Sequence, residues 1–142
     1  MKKYLLLSIS LLIFYLASRP PEQAVIFLDV GQGSAILIQN KSCQVLVDTG
    51  NYYKATHAIG KFLPKTDNVI DHIIISHFDI DHYAGLYNLL ERYTVKNILV
   101  HHFSQMPKAF KGLPQFANIQ EEFSYCGVDF RLLWPSKDYF RS

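Results

Sequence analysis

Cysteine is scarce in this 142-residue chain: Cys43 and Cys126 are the only two, and they form no Cys-x-x-Cys motif. A clustered-cysteine metal or redox centre is therefore excluded. They can pair if the domain is exported. Their spacing supplies no geometry, and two buried free thiols is the simpler expectation. Charge is also modest. Fourteen basic against twelve acidic residues leave a net charge of +2 with no long basic run, so charge alone makes no case for nucleic acid. Charged residues make up only 18% and hydrophobic residues 49%, which fits neither a disordered chain nor a wholly membrane-embedded one. The length suits one domain with a core. No Gly-Lys-Ser/Thr ending follows the glycine-rich Gly31-Gln32-Gly33, and no helix pattern does either, so it is not a phosphate loop. Finally, the chain has no Gly-Asp pair and no histidine after His102.

What is present begins with a basic start, Lys2-Lys3, and an apolar run over residues 4–18. It is shorter than the ~20 residues that span a bilayer comfortably. It reads as the core of an export signal or as a membrane anchor, broken by Arg19-Pro20-Pro21-Glu22. No cysteine follows it, so a lipoprotein anchor is excluded, and Leu16-Ala17-Ser18 makes a poor cleavage site. Residues 1–21 are thus assigned to a hydrophobic segment and 22–142 to the domain, which both readings place outside the cytoplasm; the positive-inside rule agrees.

Within the domain, three β-rich stretches, 24–30, 34–39 and 44–47, are separated by tight turns at Gly31-Gln32-Gly33 and Asn40-Lys41-Ser42. They predict an antiparallel meander. Apolar spacing predicts a helix over 52–63, ended by Pro64. A buried strand is expected over 69–75, a helix over 84–93, a strand over 96–100, a loop or short helix around Pro107, and a hairpin over 125–133 turning at Gly127. His57 reads as a surface or packing residue and His72 as a satisfied edge histidine. His101 and His102 are adjacent on a strand end and point opposite ways, so at most one can face a site.

The chemistry concentrates in Ser76-His77-Phe78-Asp79-Ile80-Asp81-His82-Tyr83-Ala84-Gly85. Two imidazoles and two carboxylates fall within six residues of a strand-to-helix turn. In an extended segment His77 and Asp79 share a face, and Asp81 and His82 follow where the chain bends back. Four nitrogen and oxygen donors in a small volume suit a divalent metal. The plainer reading is a polar turn with Asp79 or Asp81 capping the helix; for this density of donors the metal reading is preferred. Asp48, in Val47-Asp48-Thr49-Gly50, reads by itself as an Asx turn.

His77-x-Asp79-x-Asp81-His82 resembles the signature turn of the metallo-β-lactamase superfamily, with Asp79 where a second histidine is usual. That variant, with Gly85, the run from Phe27 to Ile38 and the Asp48-Thr49-Gly50 block, resembles the extracytoplasmic domain of the ComEC DNA-uptake proteins. The resemblance implies an α/β fold, an αββα sandwich. It implies a divalent metal, zinc or manganese, on His77, Asp79, Asp81 and His82. It also implies that Asp48 supports the ligand turn, a role Asp29 shares; for Asp48 the Asx turn stands as the alternative. Asp79 in place of histidine makes the site harder, so manganese and magnesium compete with zinc.

The resemblance further implies a phosphodiesterase acting on DNA, with water on the metal as nucleophile and Asp81 as the catalytic carboxylate that orients or deprotonates it. Ser34 stands where the family usually carries Asp, and the family's bridging carboxylate and later histidines have no counterpart here. The chain is therefore expected to be the N-terminal half of the sandwich, holding metal weakly or not at all. Its expected partners are single-stranded DNA, the membrane, and the missing C-terminal half or a ComEC channel. The competing expectation is a catalytically inactive, membrane-anchored module that binds DNA or a protein. A lactam or thioester hydrolase of the same superfamily is the weaker third.

Overall fold

The computed structural model describes residues 2–17, 23–63, 67–101 and 106–133. The expected helix break at residues 19–22, Pro64, His102 and residues 134–142 lie outside them. The apolar start is helix α1, Lys2–Ala17. Its side chains from Tyr4 to Phe14 are exposed, and no helix among the described residues is long and apolar enough to cross a membrane.

The expected antiparallel meander forms. β1 (Gln23–Phe27), β2 (Ile36–Asn40) and β3 (Cys43–Val47) pair antiparallel in order. The β2–β3 turn is two residues long, with Lys41 at φ 55°. The β1–β2 connection is wider than the expected tight hairpin. The ladder ends at Phe27↔Ile36, one further bond runs from the Leu28 N–H to the Ala35 carbonyl, and residues 29–34 form an open loop. β4 (Val69–Ile75), β5 (Thr94–Val100) and β6 (Phe116–Asn118) then add in parallel, completing a six-stranded sheet in sequence order. A separate antiparallel hairpin, β7 (Glu122–Tyr125) and β8 (Val128–Arg131), turns on Cys126 and Gly127, both at positive φ. That is the backbone a two-residue hairpin turn with right-handed twist requires.

Alternation along the strands divides the core into two layers. Leu46, Ile73 and Ile98 stand in register across three strands and are fully buried, facing α2 (Lys54–Ile59) and α4 (Leu86–Arg92). Val45, Ile74 and Leu99 face the opposite way, against Phe123, Tyr125 and Phe130 of the hairpin. The result is a mixed α/β domain: helices on one face of the central sheet and a two-stranded sheet on the other.

Three expectations are corrected. Cys43 and Cys126 are not free thiols. They form a disulfide, because the hairpin turn lies over the start of β3 with the two Cα atoms 5.4 Å apart. His72 is neither at an edge nor satisfied. β4 lies inside the sheet between β3 and β5, and the His72 Nδ1 is buried without a hydrogen-bond partner, its ring against that of Tyr125 at 3.8 Å. The helix expected over 84–93 starts only at Leu86, as α4, and a separate helical turn, α3 (Ile80–Tyr83), precedes it, for a reason that belongs to the site.

Candidate metal centre

Three loops meet at the end of β4, and backbone bonds hold them together. The Asp81 carbonyl accepts from the Ser34 N–H (3.2 Å), and the His82 carbonyl accepts from both the Thr49 N–H (2.7 Å) and the Thr49 hydroxyl (3.0 Å). The Gly85 N–H, in turn, donates to the Gly50 carbonyl (2.9 Å). A continuous helix would need the Asp81 carbonyl for the Gly85 N–H and the His82 carbonyl for Leu86. Tertiary capture of these groups breaks the ladder between α3 and α4. Close approach also explains two glycines. A Cβ on Gly33 would overlap the Asp81 carbonyl, and one on Gly85 would overlap the Thr49 carbonyl and come within 2.9 Å of that of Tyr52.

The side chains are ordered around Asp48. This residue sits at φ 57°, a left-handed conformation that Asp tolerates better than most, and it is buried. Its Oδ1 accepts the Ser76 N–H (2.8 Å), and its Oδ2 lies 2.8 Å from both the Ser76 hydroxyl and the His82 Nδ1. The Ser76 hydroxyl is also 2.9 Å from the His77 Nδ1. The two imidazoles lie ring against ring, centroids 3.9 Å apart. Their outer nitrogens each meet a carboxylate: His77 Nε2 and Asp79 Oδ2 at 3.3 Å, His82 Nε2 and Asp81 Oδ2 at 3.9 Å. Below the turn, Phe78 packs edge-on to Tyr83 and Tyr83 to Phe110, which ties it to the main core.

This donor set fits a cation. With Nδ1 engaged, each neutral imidazole presents a bare Nε2 lone pair to a carboxylate oxygen, and two such acceptors in close contact repel. A positive charge between them removes the repulsion. Two ligands each about 2.1 Å from one ion stand roughly 3 to 3.4 Å apart; the His77–Asp79 pair at 3.3 Å matches this, and the His82–Asp81 pair at 3.9 Å is wider. His77, Asp79, Asp81 and His82 could therefore hold a divalent metal, as two nitrogen–oxygen pairs rather than one closed cage. Their exposure rises from His82 and Asp81 (side chains 22% and 37% exposed) to His77 and Asp79 (44% and 77%), so the second pair opens to solvent.

Asp29 stands outside this network; its carboxylate takes the N–H of Gly31 in its own loop (3.3 Å). Ser76 was missed in the sequence, although its place directly between the strand and His77 was the available signal. Among the described residues, the three-group cluster with ligand atoms all within 4.8 Å of one another is Cys43, Asp71 and Cys126. It does not suit a metal, because the sulfurs are bonded to each other and the Asp71 oxygens already take the Gln44 N–H and the Lys96 ammonium.

Comparison with known proteins bears on both fold and site. A family model described as "Metallo-beta-lactamase superfamily" matches residues 28–139. Recombination protein 2 of Haemophilus influenzae is 29% identical over 135 residues; the match takes in 92% of this chain and 17% of that protein. A flavo di-iron protein from Thermotoga maritima superposes with a TM-score of 0.55 at 24% identity, over 70% of this chain and 26% of the other. A metallo-beta-lactamase from Cronobacter sakazakii superposes with a TM-score of 0.56 at 17% identity, over 74% and 48%. The chain thus spans about a sixth of the curated relative it matches.

Proposed function

The chain belongs to the metallo-beta-lactamase superfamily, and from that premise we propose that it carries the metal-binding turn of a ComEC-type hydrolase acting on the phosphodiesters of single-stranded DNA. The single observation that supports metal binding is the arrangement of His77, Asp79, Asp81 and His82 as two nitrogen–oxygen pairs steadied from below by Asp48. The likeness to Recombination protein 2 supports the ComEC branch. When bound, a divalent cation supplies Lewis-acid polarisation of the scissile group and a more acidic water. Asp81 lies beside His82 at the inner pair, which supports it as the carboxylate that would orient that water or accept its proton. Asp79 is the most exposed donor and would be the first of the four that an incoming substrate meets. The proposed location is extracytoplasmic, with α1 as signal or anchor; the Cys43–Cys126 disulfide supports an oxidising compartment.

A second reading is favoured by one observation: the donors form two pairs and no closed group of three. It makes this segment a binding module for DNA or a protein partner that holds metal without turning over substrate. One experiment tests the metal and separates the two readings. Thermal melts with and without Mn²⁺ or Zn²⁺ are run on the parent, His77→Ala and Asp81→Ala, alongside cleavage of a labelled single-stranded oligonucleotide. Metal binding raises the parent's melting temperature by mass action and raises that of the variants less. Equal shifts in all three refute the site. A metal shift without cleavage selects the binding module for this chain.

A further inference from the structure

The contacts around Ser76 allow a proton count that identifies a further residue of the site. The Ser76 hydroxyl lies 2.8 Å from the Asp48 Oδ2 and 2.9 Å from the His77 Nδ1. A carboxylate can only accept, so the single hydroxyl proton points to Asp48. The hydroxyl oxygen is then left as an acceptor, and the His77 Nδ1 must carry the proton that it receives. His82 reaches the same carboxylate oxygen directly, 2.8 Å from its own Nδ1, which is likewise protonated. Both rings are thereby set with hydrogen on Nδ1 and a free lone pair on Nε2. That is the tautomer a metal requires, and one a free imidazole does not favour.

We propose that Ser76 is a positioning residue whose hydroxyl relays the Asp48 carboxylate to His77, so that one buried acid fixes the tautomer of both imidazoles. The proposal rests on the metal-site reading for its purpose, though the relay itself is a property of the chain without metal. It also accounts for the unequal exposure of the two rings. His82, the better buried, has the direct bond, while His77, facing solvent, is reached by a bridge one hydroxyl long. Removing the hydroxyl leaves Asp48 anchored, because the bond from the Ser76 backbone N–H to Oδ1 remains.

The test reads the tautomers directly. Long-range proton–nitrogen correlation spectra of the metal-free full chain, in mildly alkaline buffer, assign each ring's protonated nitrogen in the parent, Ser76→Ala and Ser76→Thr. The parent is expected to show Nδ1–H at both rings. Ser76→Ala should move His77 toward Nε2–H and leave His82 unchanged, and Ser76→Thr should restore the parent pattern. A His77 pattern unchanged in Ser76→Ala overturns the relay. Equal changes at both rings also overturn it, since that is a general loosening of the turn. A Mn²⁺ titration of the same samples follows, with affinity expected to fall roughly 10- to 100-fold in Ser76→Ala, the usual cost of removing a residue that orients a metal ligand. If the tautomer follows Ser76 while none of the chains binds metal, the relay stands and the metal reading fails.

Discussion

Breaking the Cys43–Cys126 disulfide should lower stability by a large fraction of the total. The bond joins residues 83 apart in sequence and fastens the β7–β8 turn over the start of β3. On the chain-entropy account, a loop of that length restricts the unfolded ensemble by about 4.5 kcal/mol at 25 °C. Domains of this class have only about 5 to 15 kcal/mol in all. The rest of that corner is held by the apolar contact of Phe123, Tyr125 and Phe130 with Val45, Ile74 and Leu99, by the Asn40 side-chain amide donating to the Cys126 carbonyl (2.7 Å), and by His72 on Tyr125. With a urea dependence of about 2 kcal/mol per molar, the unfolding midpoint should fall by roughly 2 M. The assay is urea unfolding of the oxidised chain, the chain reduced with a phosphine, and Cys43→Ser/Cys126→Ser. The reduced chain and the double variant should agree with each other. A midpoint that does not move on reduction, or a double variant as stable as the oxidised chain, refutes the reasoning.

Three further outcomes are expected. Gly85→Ala places a methyl against the Thr49 and Tyr52 carbonyls and should cost about 1 to 3 kcal/mol in thermal or urea melts, weakening any metal-induced shift as well; a neutral effect would contradict the close packing of the loops. Asp48→Ala strands the Ser76 N–H, the Ser76 hydroxyl and the His82 ring together, and should cost at least about 2 kcal/mol by the same melts. Burial holds the His72 imidazole below its ordinary value, with the Asp71 charge opposing and Lys96 reinforcing. The sign follows: a depressed value in the fold means that this stability is complete above about pH 6.5, the unfolded value, and is lost as pH falls through the folded one. His72→Phe should therefore flatten the acid side of the stability profile, measured by urea unfolding at stepped pH, and an unchanged slope would count against it.

The parts of the fold legible in the sequence are those whose signal is local. β4 runs over the residues that its apolar run marks, Val69–Ile75, and the last hairpin turns at Gly127 because positive φ favours glycine there. β6 has three residues and pairs with β5 from across a loop, so no period could announce it. α2 starts at Lys54 and not at residue 52, because Tyr52 takes a left-handed conformation where the chain leaves Gly50. The interior position of His72 depends on which strands flank β4, and that information lies elsewhere in the chain. At the site, the density of donors from His77 to His82 was visible. Asp48 stood between a turn residue and a support, and its bonds to Ser76 and His82 tie it to the donor turn. Asp29 had no local signal separating it from Asp48, and only the path of its loop turns it away. Ser76 was hidden because a lone serine carries no pattern until its two neighbours are placed.

The way the three loops are joined has a consequence for how such a site can change. The bonds from Ser34 to Asp81, Thr49 to His82 and Gly85 to Gly50 run between main-chain groups, so they are indifferent to the side chains at 77, 79 and 81. On the proposed metal reading, a substitution at one of those positions should alter which ion is preferred without redrawing the loop that presents it. Aspartate at 79, where the related pattern has histidine, is such an exchange. The turn is a socket whose main-chain shape does not depend on the donors it carries.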